Sequence, residues 1–324
     1  MLRILTFSIC LLLVAGFNDF FSISSWAELS QDKSDNKDTA STNRSDLGEA
    51  GKEPEKSGTK KPEIESQRNL KNNPALAMSL LKKSREKLLS YSSIRAQITE
   101  TVNIGPKSFV IIGSYLQGKD FKLRLEFQVQ SHKKNGKPVG TLLEICDGQV
   151  LWAEHTINEN SRVTRRDVQA ILKHAELNPK IASNMLVAQL GLGGLPGLLA
   201  AIQKNMKFQS VADKTVNGKT LTVLNGTWKD KFLAQWKGGD PTAPVQLPAY
   251  VPDAIRLYID PQSLFPRRIV YLKKINNTLE SMVTLNFTKV KLNAPIDKAE
   301  FSYEPPDGVF PADITNQYLK QITQ

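Results

Sequence analysis

The chain has 324 residues, a formal net charge of +11 and only two cysteines. Two cysteines, one of them inside an N-terminal apolar run, exclude an internal disulfide, so the core must hold the fold unaided. A charge this positive admits nucleic acid, anionic lipid or an acidic polymer as partner, and an N-terminus that reads as an export signal argues against the first.

Met1–Ala27 reads as a secretory signal. Arg3 gives the positive start, residues 4–16 the apolar run, and Ser25-Trp26-Ala27 a small-x-small cleavage site. The alternative is an uncleaved anchor, because residues 17–23 extend the apolar character. Cys10 sits in the middle of the run and not at its end, so no lipidation signal is read. Residues 28–72 form a polar linker. Residues 28–71 hold nine Lys/Arg against ten Asp/Glu, so the net charge belongs almost wholly to the domain after them. Such a segment cannot bury enough apolar surface to offset its ordering entropy. Residues 73–324 suit one domain. Cys146, flanked by Leu142, Leu143 and Ile145, reads as a small core residue.

Asn73 and Pro74 open a helix as cap and first helical residue. Ala77, Leu80, Leu81, Ser84, Leu88 and Tyr91 give it one apolar stripe. Strands come next at 94–103 and 107–116, turned at Gly105-Pro106. In 121–129, Phe121, Leu123, Leu125, Phe127 and Val129 alternate with Lys122, Arg124, Glu126 and Gln128, so one face is wet and the other apolar. Residues 141–147 and 150–158 form a hairpin around Asp147-Gly148. Asp167 opens a helix that runs to about Ala175, where a carboxylate suits the helix dipole.

Residues 181–206 then carry no charge between Lys180 and Lys204. Gly191, Gly193, Gly194, Pro196 and Gly197 divide this oily insert into two short helices, about 180–190 and 195–206. Neither is long enough to span a membrane. The glycines come after a helix and not a strand, which argues against a dinucleotide loop. The insert reads as a lid or plug on the concave face of a curved sheet, with an ordinary buried helical hairpin as the rival.

The strand pattern resumes at 208–217 and 219–228 around Asn217-Gly218. A long Gly- and Pro-rich loop, 229–251, precedes a hairpin of 253–260 with 266–273. Residues 278–292 make a long strand, 300–303 a last short one, and 311–321 a final helix or tail. Antiparallel strands in meander order with inserted helices, the lid candidates at about 167–206, give a mainly β (α+β) fold, a strongly curved sheet or open barrel.

Three segments together resemble the LolA/LolB superfamily of periplasmic lipoprotein carriers. KLLSYSSIRAQITETV is similar to that family's opening helix and strand. LEICDGQVLW looks like its hairpin, at Asp147, Gly148, Leu151 and Trp152. FSYEPPDGVFPADIT looks like its ending, at Phe301, Tyr303, Pro305, Pro306, Gly308 and Val309. The resemblance covers roughly residues 74–315. It implies an incomplete antiparallel barrel around an apolar cavity, lidded by helices. In the family's carrier an Arg just before the third strand ties down the lid. Here Gly118-Lys119-Asp120 stand in that neighbourhood, so no Arg matches, and Lys119 is a point charge and not a planar fork.

No catalytic constellation stands out. His132, His155 and His174 do not lie at metal-ligand spacing, no nucleophile elbow is present, and Asp253 and Asp260 sit where hairpin ends explain them. No metal and no cofactor are expected. Lys133-Lys134, Arg165-Arg166, Arg267-Arg268 and Lys273-Lys274 are paired basic clusters. They suit an anionic membrane surface or, equally, a solvated basic face.

The expected function is a non-enzymatic, monomeric periplasmic carrier or chaperone for lipid or lipoprotein acyl chains. Phe121, Leu123, Leu125, Phe127, Trp152, Val283, Leu285 and Phe287 are the expected lining. Leu186, Leu190, Leu192, Leu195, Leu198 and Leu199 are the expected lid, hinged at Gly191, Gly193 and Gly194. The alternative is a binding or regulatory module of the same fold, its cavity permanently plugged and an envelope protein as partner.

Overall fold

Asn73 begins the first helix as its sequence demands: its Oδ1 accepts the Leu76 N–H at 2.9 Å, and Pro74 takes the first helical position. In the computed structural model that helix, α1 (Pro74–Ser90), buries Ala77, Leu81, Ser84 and Leu88 as one stripe. The structure describes residues 68–105, 107–131, 138, 140–157, 160–178, 190–234, 236, 245 and 247–323. The signal, most of the linker, His132, Lys133-Lys134, Leu186 and the first helix of the insert lie outside the described residues.

Among the described residues thirteen strands form one curved, unclosed sheet. They are β1 (Arg68–Asn72), β2 (Ile94–Ile104), β3 (Lys107–Gln117), β4 (Lys122–Ser131), β5 (Gly140–Asp147), β6 (Val150–Ile157), β7 (Asn160–Asp167), β8 (Met206–Val216), β9 (Lys219–Trp228), β10 (Ala254–Ile259), β11 (Pro266–Ile275), β12 (Thr278–Leu292) and β13 (Ala312–Asp313). Two meanders, β2 to β7 and β8 to β12, join where β12 pairs with β2, from Val283 opposite Val102 to Leu292 opposite Ile94. β1 lies outside β8 and β13 outside β7. Asn217-Gly218 and Asn276-Asn277 close two-residue hairpins with φ of 50°, 74°, 47° and 64°, the left-handed pair that matches strand twist.

Among the described residues four more α-helices follow: α2 (Val168–Glu176), α3 (Gly194–Asn205), α4 (Asp230–Ala234) and α5 (Thr315–Thr323). Asp167 caps α2 through the Ala170 N–H at 2.8 Å, and its own N–H donates to the Thr315 hydroxyl at 2.9 Å, which ties α5 to the start of α2. The alternating residues of the strands that face α1, α2 and α3 make one apolar cluster with them. A smaller cluster of Leu221, Val223, Ala254, Tyr258, Val270 and Leu272 lies on the outer face of β9 to β11. Cys146 is fully buried, and burial pushes its thiol up to about 12.

Three expectations differ. Residues 68–72, assigned to the linker, pair with β8. The short strand at 300–303 is instead a 3-10 turn, Lys298–Phe301. Asp297 accepts the Ala299 N–H and the Glu300 side chain accepts the Asp297 N–H, a reciprocal cap that winds the chain. The tail at 311–321 divides into β13, parallel to β7, and α5. Replacing Asn73 by Ala should cost about 1 kcal/mol. A thermal melt should then fall by about 2–4 °C.

Candidate functional site

The helices lie on the inner face, and α3 decides its geometry. It leaves the turn at residues 190–193, begins over β3 and runs directly into β8. β9, β10, β11, β12 and β2 lie between those two strands in the sheet. Twelve helical residues reach about 18 Å. Six strand spacings make an arc of about 29 Å. The chord is shorter than the arc, so the sheet curls around the helix.

Leu190, Leu192, Leu195, Leu198 and Leu199 are all buried, at 0–7% exposure. They share the inner cluster with Leu123, Leu125, Phe127, Val283, Leu285 and Phe287, while Phe121 packs half-buried at its margin. The structure therefore brings together the described lid residues and seven of the eight expected lining residues. Trp152 is the exception. Along β6, Leu151 and Ala153 point inward, which turns Trp152 to the outer face. There its ring meets Tyr303 at 5.5 Å and the Arg165 guanidinium at 5.8 Å, and the Tyr303 hydroxyl donates to Glu154 at 2.9 Å. Two of the segments that carry the family resemblance thus touch each other, on the face away from α3.

Polar bonds pin both ends of α3. The Leu195 N–H donates to the Tyr115 hydroxyl at 3.0 Å, and that hydroxyl donates to the Gln117 carbonyl oxygen. Gly193 itself supplies no side-chain cap, so Tyr115 satisfies a donor that the helix start leaves open. At the other end Lys229 donates to the carbonyls of Gln203 and Lys204, both at 2.9 Å, placing a cation at the negative pole. Arg85 of α1 bonds the Gln203 side chain at 2.9 Å. Lys119, where the family resemblance would put an Arg on the lid, bonds the Leu89 carbonyl at the end of α1 instead. Tyr115 is the contact that sequence reasoning missed; in β3 it reads as one more core aromatic.

Gly191 and Gly194 have φ of 73° and 51°, whereas Gly193 has an ordinary −68°. A Cβ on Gly194 would also collide with the Tyr115 hydroxyl and lie 2.6 Å from Gln117 Oε1. Gly194 is thus required twice, by its backbone angle and by the close approach of the cap.

Toward β7 the inner face becomes polar. Glu144, Thr164 and Arg166 are buried, and His155 is half-buried. Burial lifts Glu144 to about 7, against the pull of Arg166. Burial, with Arg166 and Arg162, lowers His155 to about 4. The described basic pairs do not form one surface, because neighbours in a strand face opposite ways. Arg165 pairs with Asp313 outside while Arg166 lies over the Tyr318 ring. Arg267 pairs with Asp260, Arg268 bonds Asn286, and Lys273 bonds the carbonyls of Leu247, Pro248 and Val251. Among the described residues no cluster of three His, Cys, Asp or Glu could hold a metal, and no helix is long and apolar enough to cross a membrane.

No family model matches the chain, and no curated protein matches it. Solved structures do. The Mycobacterium tuberculosis lipoprotein LppX is 10% identical over 68% of this chain and 97% of its own, with a TM-score of 0.35. A LolA superfamily protein from Nitrosomonas europaea is 13% identical over 70% and 97%, with a TM-score of 0.25. The MucA/MucB complex of Pseudomonas aeruginosa is 13% identical over 71% and 62%, with a TM-score of 0.35. The unclosed, curved antiparallel sheet with helices on its inner face agrees with the fold class expected from the sequence.

Tyr115→Phe should cost about 1–3 kcal/mol by leaving the Leu195 N–H without an acceptor. Hydrogen exchange at Leu195 should accelerate ahead of exchange in β3. The buried acid gives a pH signature. The folded state keeps on Glu144 a proton that the unfolded chain releases near 4.5, so the associated stability is full below pH 4.5 and is lost as pH rises through about 7. His155 acts oppositely: its contribution is full above 6.5 and lost as pH falls through about 4. Glu144→Gln should therefore gain on the wild type by on the order of 3 kcal/mol between pH 5 and 8 in urea titrations.

Proposed function

We propose that this chain is a non-enzymatic carrier of the cell envelope that holds acyl chains, from a lipid or a lipoprotein, against the inner face of its sheet. One observation carries the reading. A separate helix, entered through left-handed glycines, fills the concave face with leucines, and displacing it would bare a continuous apolar trough of Leu123, Leu125, Phe127, Val283, Leu285 and Phe287. The exchange is close to balanced. Five buried leucines hold the lid by roughly 8–15 kcal/mol, and a chain of about fifteen methylenes returns roughly 12 kcal/mol at about 0.8 each. A lid held this way can be traded for cargo and reseated. Gly191 and Gly194 are the proposed hinge.

The second reading, a module with a fixed plug and a protein partner, draws on the bonds from Tyr115, Arg85 and Lys229 that pin α3 at both ends.

Mass spectrometry of an organic extract of the chain, purified from its own envelope without detergent, separates the two. Near-stoichiometric acyl chains are expected for the carrier, and a clean extract points to the plugged module. Leu198→Asp, which puts a charge on the lid's buried stripe, should change loading severalfold. Unchanged loading would sink the lid assignment. Tyr115→Phe is the companion that adds no charge, and it should raise fatty-acid uptake if the lid moves.

A further inference from the structure

On the side of the sheet away from the lid, the outer faces of β12, β2, β3 and β4 enclose a cleft of about 560 Å³. Four cations, Arg95, Arg124, Lys289 and Lys291, line it against two carboxylates, Glu126 and Glu300. The geometry points to a binding site for the phosphate group of an ester, with Lys289 and Lys291 as its direct ligands and Arg95 as the fixed wall beside them.

The two carboxylates are already engaged. Arg95 Nη2 donates to both oxygens of Glu300 at 2.8 and 2.6 Å, and Glu300 is itself held in the reciprocal cap with Asp297. Arg124 donates through Nε to Glu126 at 2.6 Å and through Nη1 to the Glu300 carbonyl at 3.1 Å. Among the described residues neither the Lys289 nor the Lys291 side chain has an ion-pair or hydrogen-bond partner. The cleft therefore keeps two uncompensated positive charges beside a guanidinium that is already oriented.

Backbone geometry puts the lysines there. Val283, Leu285 and Phe287 of β12 face the core, and unbroken alternation would send positions 289 and 291 inward after them. Instead the register to β2 slips by one residue between Thr288 opposite Gln97 and Lys291 opposite Arg95. Lys289 takes a φ of 48° in this bulge, unusual for a lysine. Val290 and Leu292 then pack toward the core, and both lysines line the outer cleft. Bulges of this kind re-aim side chains, and strained backbone collects at functional positions. Two ammonium point charges suit a compact oxyanion of more than one charge. The cleft is larger than a phosphate, so it has room for an ester substituent. A phospholipid headgroup and a soluble phosphate ester share this chemistry. Neither depends on movement of the lid.

The test uses the purified chain at low salt, where exposed charges are least screened. Inorganic phosphate is titrated by calorimetry, and capture is measured on phosphatidylglycerol-containing and pure phosphatidylcholine vesicles. Lys289→Asn with Lys291→Gln empties the cleft of its unpaired charge, and asparagine tolerates the left-handed angle. Lys83→Gln with Lys231→Gln removes the same charge from exposed helix faces elsewhere. Saturable phosphate binding should weaken about tenfold or more in the first pair and stay within about twofold in the second. Capture by the phosphatidylglycerol vesicles alone, competed by phosphate and lost in the first pair, identifies a lipid headgroup. Phosphate binding without vesicle capture identifies a soluble ester. Absence of saturable phosphate binding at millimolar concentration, or equal losses in both pairs, overturns the site.

Discussion

The connection from β7 to β8 must carry the chain from one side of an open sheet to the other. In the sheet order those strands lie next to opposite edges. A connection of this kind cannot close as a hairpin; it has to cross a face, and the apolar face is the one where an oily helix is stable. α3 is the closing part of that crossing. Because it is shorter than the arc beneath it, its contacts with β3 and β8 also set how far the sheet curls. Tyr115, Lys229 and Arg85 fix the crossing point by hydrogen bonds, while the leucines supply the area.

The same face is graded along its width. Beneath α3 it presents leucine, phenylalanine and valine. At β5 to β7 it presents Glu144, His155, Thr164 and Arg166, with Tyr318 of α5 over Arg166. The grade comes from strand parity: Leu125, Glu144, Ala153 and Thr164 stand in one cross-strand row. An interior that is oily at one end and ionisable at the other is suited to a molecule with a tail and a polar end, which is the class of cargo the carrier reading asks for.

Alternation and turn chemistry made most of the sheet legible from the sequence. Phe121–Val129 and Thr278–Leu292 read directly as strands, and Asn217-Gly218 as their kind of turn, because each signal is local. Three kinds of fact were not local. Trp152 is expected in the lining, yet its face is fixed by Leu151 and Ala153, whose burial depends on α2 and the neighbouring strands. Tyr115 looks like any core aromatic until α3 is placed against it. The outer cleft draws on positions 95, 124, 289 and 291, which no spacing rule connects, and on a one-residue slip that reverses the apparent face of two lysines. The adjacent arginine pairs Arg165-Arg166 and Arg267-Arg268, which a reader of the sequence notices first, are divided between faces by the same pleat.

The β2–β12 seam joins the first strand of one meander to the last strand of the other, across most of the domain's length. Every other neighbouring pair among β2 to β12 is consecutive in the chain. Local pairs form quickly, and distant ones wait for loop closure. As the chain is made from its N-terminus, β2 to β7 can zip into a half-sheet long before Val283 to Leu292 exist. Through that interval the edge of β2 is an open ladder. Assembly of this chain is therefore gated by its last long strand, and the half-sheet made before it is the species most exposed to wrong pairing with another copy.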